Sequence, residues 1–245
     1  MYLYQFHVHT EYSPDCDVKL NKLYKRLKNK GISGVAITDH NTIEGAIKFK
    51  KLYENKIDII VGEEIMTSKG EIIGLFLKSE IPKGLTPRKT IKLIKLQHGI
   101  VYIPHPCDMK RKKTCLNQDE IINNIKDIDM IEIFNGRCIR SEFNDNAYEL
   151  SKKLNKKCIY GSDSHSIYEL KYNLVAFRNK LNKNNIIDEL NYCEPMYKKT
   201  NRKIHYYTIF IKIKKMLRKG KYNEAMHFIF RGCKKRLYRA FKINR

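Results

Sequence analysis

The sequence predicts an α/β fold, a distorted seven-stranded β/α barrel with a basic helical extension at its C-terminus. Up to about residue 187, short β-rich runs alternate with helical stretches, the order expected of a β/α fold. Residues that can do chemistry fall at the C-terminal ends of the strands, where barrels build their active sites. Charge is also unevenly divided. The formal net charge is +23, yet residues 196–245 hold 17 Lys and Arg against one acid, Glu224. The expected division is a barrel over 1–195 and an extension over 196–245.

Strands are expected at 2–8, 34–38, 57–61, 71–77, 100–103, 129–134 and 157–160, each a short run rich in β-formers. Between them, the helix over 18–30 places Leu20, Leu23, Tyr24 and Leu27 on one face. Further helices are expected over 42–53, 119–125 and 140–154. Another has Thr86 as N-cap, Pro87 at its first position and Gly99 as its C-cap. Strands three and four read as a hairpin through Ser68, Lys69 and Gly70. There is no internal repeat.

Composition excludes several classes. At 245 residues with 42% hydrophobic and 31% charged side chains, the chain can build a sizeable core and is not globally disordered. No apolar run approaches the ~18–20 residues of a membrane span. The opening MYLYQFHVHT lacks the basic region and cleavage site of a secretory signal. The seven cysteines are scattered and never spaced C-x-x-C, which fits reduced thiols in a cytoplasmic protein.

Five short motifs carry the chemistry. In HVHT, His7 and His9 are two apart on a strand and share a face, a natural pair of ligands for one divalent ion. Asp15 follows in a Ser-Pro-Asp loop. TDHN brings Asp39 and His40, GEEI brings Glu63 and Glu64, Pro-His-Pro brings His105, and GSDSH brings Asp163 and His165. A single strand-end His or Asp often only caps a helix. Five such motifs after five strands, gathered by barrel geometry around one opening, need another explanation. Carboxylates buried together must be neutralised, and basic side chains near these motifs are few. The donors outnumber those of one catalytic zinc and fit two or three divalent ions, Mn²⁺, Zn²⁺ or Fe²⁺. No nucleophile elbow or phosphatase-type cysteine loop is present.

The ordered set HVHT, SPD, TDHN, GEEI, PHP, NGR and GSDSH resembles the PHP (polymerase and histidinol phosphatase) family over roughly residues 1–170. The resemblance implies a distorted seven-stranded barrel, up to three metals and phosphoesterase activity. Carried over by position, His7, His9, Glu64 and Asp163 would hold a first ion. Glu64 would bridge to a second held by His105, and Asp15, His40 and His165 would hold a third. The pattern G-x-E-I selects Glu64 over Glu63. Glu71, in GEIIG, stands where many members have histidine, and is expected to complete the second site. Asp39 is expected to orient a ligand histidine. In IEIFNGR, which also carries Glu132 and Asn135, Arg137 is expected at the pocket, either clamping a phosphate or making a structural salt bridge. His40 or His165 could protonate a leaving group, although ligation is the preferred role for both.

Other groups are set aside at this point. His98 reads as a helix cap, and His205 and His227 lack ligand spacing. Lys110, Arg111, Lys112 and Lys113 read as a solvated loop in preference to a steering patch. In the extension, Ile209, Ile213, Met216 and Leu217 suggest one amphipathic helix, ending at Gly220. Ala225, Phe228, Ile229, Leu237 and Phe241, flanked by Lys234, Lys235, Arg236 and Arg239, suggest a second. These helices fit an anionic membrane surface better than nucleic acid, or a hairpin packed on the barrel.

The expected protein is therefore a cytoplasmic metal-dependent phosphoesterase. Its substrate would be a small phosphomonoester, a nucleotide or an oligonucleotide end. One rival is a metal-dependent amidohydrolase or deaminase, disfavoured because no lysine ends a strand near the motifs. The other is a non-catalytic protein that binds a membrane or nucleic acid through its basic tail.

Overall fold

The computed structural model describes residues 1–231 apart from 171 and 202. Seven strands close a barrel: β1 (Tyr2–Val8), β2 (Gly34–Ile37), β3 (Asp58–Thr67), β4 (Gly70–Leu75), β5 (Ile100–Ile103), β6 (Met130–Asn135) and β7 (Lys157–Ser164). They run in the order β2-β3-β4-β5-β6-β7-β1, and the pairing of β1 with β2 closes the ring. All pairs in the ring are parallel except β3–β4 and β4–β5. That exception follows from the expected hairpin, because a two-residue connection can only return antiparallel.

Helices α1 (Leu20–Asn29), α2 (Glu44–Tyr53), α3 (Pro87–Leu96), α4 (Gln118–Asn123) and α5 (Ser141–Lys153) occupy the connections. Leu20, Leu23 and Leu27 form the buried stripe of α1. Thr86 caps α3, its hydroxyl accepting from the Lys89 amide at 3.4 Å. The C-cap differs from expectation. His98, not Gly99, takes the left-handed conformation (φ 57°), and its amide bonds to the Lys95 carbonyl at 2.8 Å.

Beyond the ring the sheet continues through β8 (Leu174–Phe177) and β9 (Glu194–Met196), with α6 (Ile186–Glu189) between them. β8 pairs antiparallel with Tyr2–Tyr4 of β1. The sequence did not announce these strands, which are four and three residues long. Phe177, Leu181, Ile186 and Leu190 from this region join Tyr4, Phe6, Ile73, Tyr102, Met130 and Ile159 in one buried cluster, which forms the floor of the barrel. The other large cluster lies between barrel and helices.

Inward positions follow strand alternation. Ile60, Gly62 and Glu64 share one face of β3, as do Leu75, Ile73 and Glu71 on β4, Met130 and Glu132 on β6, and Ile159, Gly161 and Asp163 on β7. The lower members are apolar and the upper members acidic. β1 breaks the rule. Tyr4 and Phe6 point to the floor, so plain alternation would send Val8 inward and His7 and His9 outward. A register shift between residues 5 and 8, with His7 at φ 59°, exchanges the faces. Val8 then packs in the outer cluster, and both imidazoles enter the cup.

The first helix of the extension, α7 (Ile204–Arg218), docks on the mouth of the barrel. Its Thr208 hydroxyl accepts from Arg137 at 2.9 Å, and just before it the Thr200 amide bonds to the Gly136 carbonyl at 2.7 Å. The buried face consists of Thr208 and Ile211, whereas Ile209 and Leu217 of the expected stripe are exposed. The helix is thus rotated from the reading by hydropathy alone, because its inward side also accommodates Lys212 and Lys215. A further helical segment covers 222–231. Lys234, Lys235, Arg236, Leu237, Arg239 and Phe241 lie outside the described residues. No helix among the described residues is long and apolar enough to cross a membrane.

Candidate metal centre

The upper layer gathers every predicted ligand. Around Glu64, which is buried, His7 Nε2 lies 3.2 Å from Oε1, His105 Nε2 3.1 Å from Oε1, His9 Nε2 3.4 Å from Oε2 and His40 Nδ1 3.0 Å from Oε2. Asp163 Oδ1 lies 3.7 Å from His7, 3.6 Å from His9 and 3.3 Å from His165. Asp15 Oδ1 faces His165 and His40 at 3.3 and 3.6 Å. Glu71, the departure from the family pattern, is brought in as well, 3.5 Å from His105 and 3.6 Å from His40. Glu63 points away and accepts from the Ile81 amide at 2.9 Å.

Among the described residues, four sets of donors lie close enough to share an ion: His7, His9 and Glu64; His7, His105 and Asp163; His40, Glu64 and Glu71; and His9, His40 and His165. These overlap, without coinciding, with the three sets implied by family position.

His7, His9 and His165 are each held at Nδ1. Glu132 lies 2.9 Å from His7 Nδ1, and as a carboxylate it accepts, which fixes the proton there and leaves Nε2 free. Glu132 also accepts from the Tyr102 hydroxyl, the His105 amide and Asn135. These donors and His7 keep it ionised, against a burial penalty that would raise its pKa. Gly161 makes room for it, since a Cβ at that position would collide with the Glu132 carboxylate. For His9 the relay is Ser13. Its hydroxyl donates to Asp39 at 2.7 Å and accepts from the His40 amide at 3.0 Å. It therefore also accepts from His9 Nδ1, at 3.0 Å, and His9 Nε2 is left bare. Asp39 thus reaches His9 through Ser13 and not directly. His165 Nδ1 is held by the Asp163 carbonyl at 2.9 Å.

This donor set fits divalent cations on its own geometry. His7 Nε2, His9 Nε2 and Asp15 Oδ1 are buried with no hydrogen-bond partner, and all face the same space. Leaving such atoms unsatisfied costs about 1–3 kcal/mol each, and a cation in the cup would satisfy them together. His7, His105 and Asp163 also adopt left-handed backbone at φ 59°, 34° and 51°, conformations that cost about 1–3 kcal/mol for residues other than glycine. They are three of the eight left-handed non-glycine residues among those described. Burial and the neighbouring Glu64 raise the Glu71 carboxyl to about 8, the behaviour of an acidic group crowded by another acid.

The sequence reading missed three contributors. Arg111, expected in a solvated loop, turns into the cup and pairs with Asp163 at 2.5 Å and Asp108 at 3.2 Å. Burial alone would raise the Asp163 carboxyl, but Arg111 and His7 hold it well below the usual range. His205 and Lys212 on α7 line the cavity of about 430 Å³ above the cluster. Burial, Arg137 and Arg111 push the His205 imidazole down to about 4. Arg137 itself lines the cavity and also makes the structural contact, with Glu169 at 3.4 Å and with Thr208. The only advance signal for Arg111 was its place after Pro-His-Pro. His205 and Lys212 had none, because no local pattern says that a helix 40 residues past the barrel will return to its mouth.

A barrel whose rim holds imidazoles and carboxylates in ion-sized groups defines a metal-dependent hydrolase. Comparison with known proteins agrees. The PHP domain family model matches residues 5–226, and the chain belongs to that family. The match runs past residue 170, so it takes in α7, which the motif resemblance had left out. The uncharacterized protein MJ1587 of Methanocaldococcus jannaschii is 44% identical over 140 residues, covering 53% of this chain and 79% of that protein. A Bifidobacterium adolescentis protein provisionally named a metal-dependent phosphoesterase superposes with TM-score 0.54 at 17% identity, over 66% of this chain and 87% of its own. An amidohydrolase from Chromobacterium violaceum, solved with sulfate and no metal, gives TM-score 0.54 at 13% identity over the same shares.

Proposed function

We propose that the chain is a phosphoesterase that hydrolyses a phosphomonoester or a nucleotide or oligonucleotide phosphoester at a di- or trinuclear site. The observation that carries this reading is the pairing of bare histidine nitrogens with a cationic cavity directly above them. His7, His9, Glu64 and Asp163 would hold a first ion, Glu64, Glu71 and His105 a second, and Asp15, His40 and His165 a third. Divalent ions in such a site supply a water acidified towards neutrality and a Lewis acid for phosphoryl oxygens. Nitrogen and oxygen donors without thiolate suit Mn²⁺, Zn²⁺ or Fe²⁺.

The protein's own groups supply the rest. Glu132 and the Ser13–Asp39 pair keep the protons of His7 and His9 on Nδ1, so both rings present a lone pair inward. Arg111 reaches the inner end of the cavity, and Lys110, Arg137 and Lys212 line its wall, a lining suited to an anionic substrate. His40 and His165 are occupied as ligands in this scheme. The docking of α7 adds His205, Thr208 and Lys212 to the wall of the cavity.

The amidohydrolase reading is weaker, since no inward strand position at the rim carries lysine. For the basic extension, exposed Tyr206 and Phe210 on α7 beside Lys203 and Lys214 support peripheral contact with an anionic membrane surface. Failure to co-sediment with anionic vesicles at low salt would remove that idea.

The test of the main reading is hydrolysis of p-nitrophenyl phosphate and a panel of phosphorylated metabolites and nucleotides with added Mn²⁺. The expected result is turnover that chelator abolishes and Mn²⁺ restores. Full metal loading with no phosphoester hydrolysis, but with cleavage of amide substrates, would contradict it.

A further inference from the structure

We propose that Lys215 is a positioning residue for the metal ligand Asp15, which makes α7 part of the scaffold of the metal site. The inference rests on the metal reading above and extends it to a residue outside the barrel.

Asp15 is the one ligand carried by a loop and not by a strand end. Its Oδ1 has no hydrogen-bond partner of its own. Its approach to His165 and His40, at 3.3 and 3.6 Å, depends on the course of the 10–16 backbone that carries it. The inner side of that loop is well tied. The Thr10 amide and hydroxyl donate to Asp39 at 2.7 and 2.6 Å, Ser13 donates to Asp39, and the Cys16 thiol donates to the His9 carbonyl at 3.3 Å.

The outer side presents backbone carbonyls, and Lys215 meets two of them. Its Nζ donates to the Glu11 carbonyl at 2.6 Å and to the Ser13 carbonyl at 2.7 Å. One ammonium group thus clips both ends of the turn that leads into Pro14 and Asp15. Nearby, the Tyr207 hydroxyl donates to the Asp17 carboxylate at 3.1 Å, so α7 grips the loop on both flanks of Asp15. A lysine on a surface helix ordinarily extends into water. Here the side chain is half-buried and spends its donors on main-chain oxygens, so its contribution is the shape of the loop.

A purely stabilising contact would lower the melting temperature and leave the metals alone. A positioning contact should weaken one ion selectively. The experiment titrates Mn²⁺ into the full-length, metal-stripped chain, following free Mn²⁺ by electron paramagnetic resonance and counting bound ions after gel filtration. Asp15→Asn marks the signature of the affected ion, Lys215→Met removes the clip, Lys215→Arg restores charged donors, and Lys219→Met controls for charge one turn away. Removal of groups that orient metal ligands typically costs tenfold to a hundredfold in affinity.

The expected result is that Lys215→Met weakens one ion by about tenfold or more in the manner of Asp15→Asn, spares the others, and is partly rescued by Lys215→Arg. Lys219→Met should bind as wild type. If Lys215→Met does not give a cooperative melt, Lys215→Gln takes its place. Wild-type Mn²⁺ binding by the Lys215 variant, alongside loss in Asp15→Asn, would overturn the proposal and leave the metal reading standing. No binding by the wild type would overturn both.

Discussion

The floor and the rim of this barrel are built from the same strands and the same inward face, yet they hold opposite chemistry. On β4, Leu75 and Ile73 pack the floor while Glu71 enters the rim, and on β6 Met130 and Glu132 divide in the same way. The floor's fully buried side chains follow plain strand alternation and fill space, with a left-handed residue only at its edge, Phe76. The rim uses left-handed residues at His7, His105 and Asp163, a register shift in β1 and a glycine beside Glu132. The difference teaches that alternation alone makes a core, whereas a site requires departures from alternation that the floor is stable enough to tolerate.

Substitutions in the two layers should therefore separate metal binding from stability. The largest effects belong to His9→Ala and Asp163→Ala. Each is expected to lower bound metal and turnover together, turnover by about a thousandfold or more; in chelator His9→Ala should melt close to wild type, whereas Asp163→Ala leaves Arg111 unpaired and should melt lower. Ile73→Ala in the floor should do the reverse. A buried large-to-small change of this kind costs about 2–5 kcal/mol, while the folded fraction keeps its metal. Denaturation curves and metal analysis on the same samples test both, and metal loss in Ile73→Ala with no loss of stability would break the comparison.

Gly161→Ala should combine the two behaviours. The added Cβ displaces Glu132, which frees the His7 proton and disturbs packing, so both metal affinity and melting temperature should fall. Glu71→Gln is expected to weaken a single ion by about tenfold, with Glu71→His restoring it. Equal binding by both variants and the wild type would remove Glu71 from the ligand set.

The smallest effect on metal binding is expected at Glu63, the neighbour of Glu64 on the other face of β3. Burial raises its carboxyl from 4.5 to about 8, so the folded state holds a proton that the unfolded state releases. Stability from this group is present at low pH and is lost as pH rises towards 8. Glu63→Gln should flatten that decline without altering metal content, and melts recorded from pH 5 to 8.5 would detect it.

The sequence revealed the ring of strands because each is a compact β-rich run, and it revealed most of the clustered donors because they close such runs, whereas Asp15 sits in a loop and Glu71 opens β4. Alternation said that only one of Glu63 and Glu64 points inward, and the family pattern G-x-E-I selected Glu64. What stayed hidden depends on long-range packing. The shift at His7 leaves no local mark, and the same-face reading of His7 and His9 holds only because the shift moves both. β8 and β9 are too short to stand out. The buried face of α7 was misjudged because Lys212 and Lys215 turn inward, one to the cavity and one to backbone carbonyls. Arg111 looked like one more cation in a basic loop until Asp163 gave it a partner.

The central claim is that one cup binds a cluster of divalent ions. Its most direct test is anomalous diffraction from crystals of the intact protein grown with Mn²⁺, with data collected on either side of the manganese absorption edge. The account predicts two or three manganese peaks inside the ring formed by His7, His9, Glu64, His105 and Asp163, extending towards Asp15 and His165. A cup without anomalous density at saturating Mn²⁺, or ions bound only at surface carboxylates, would contradict it.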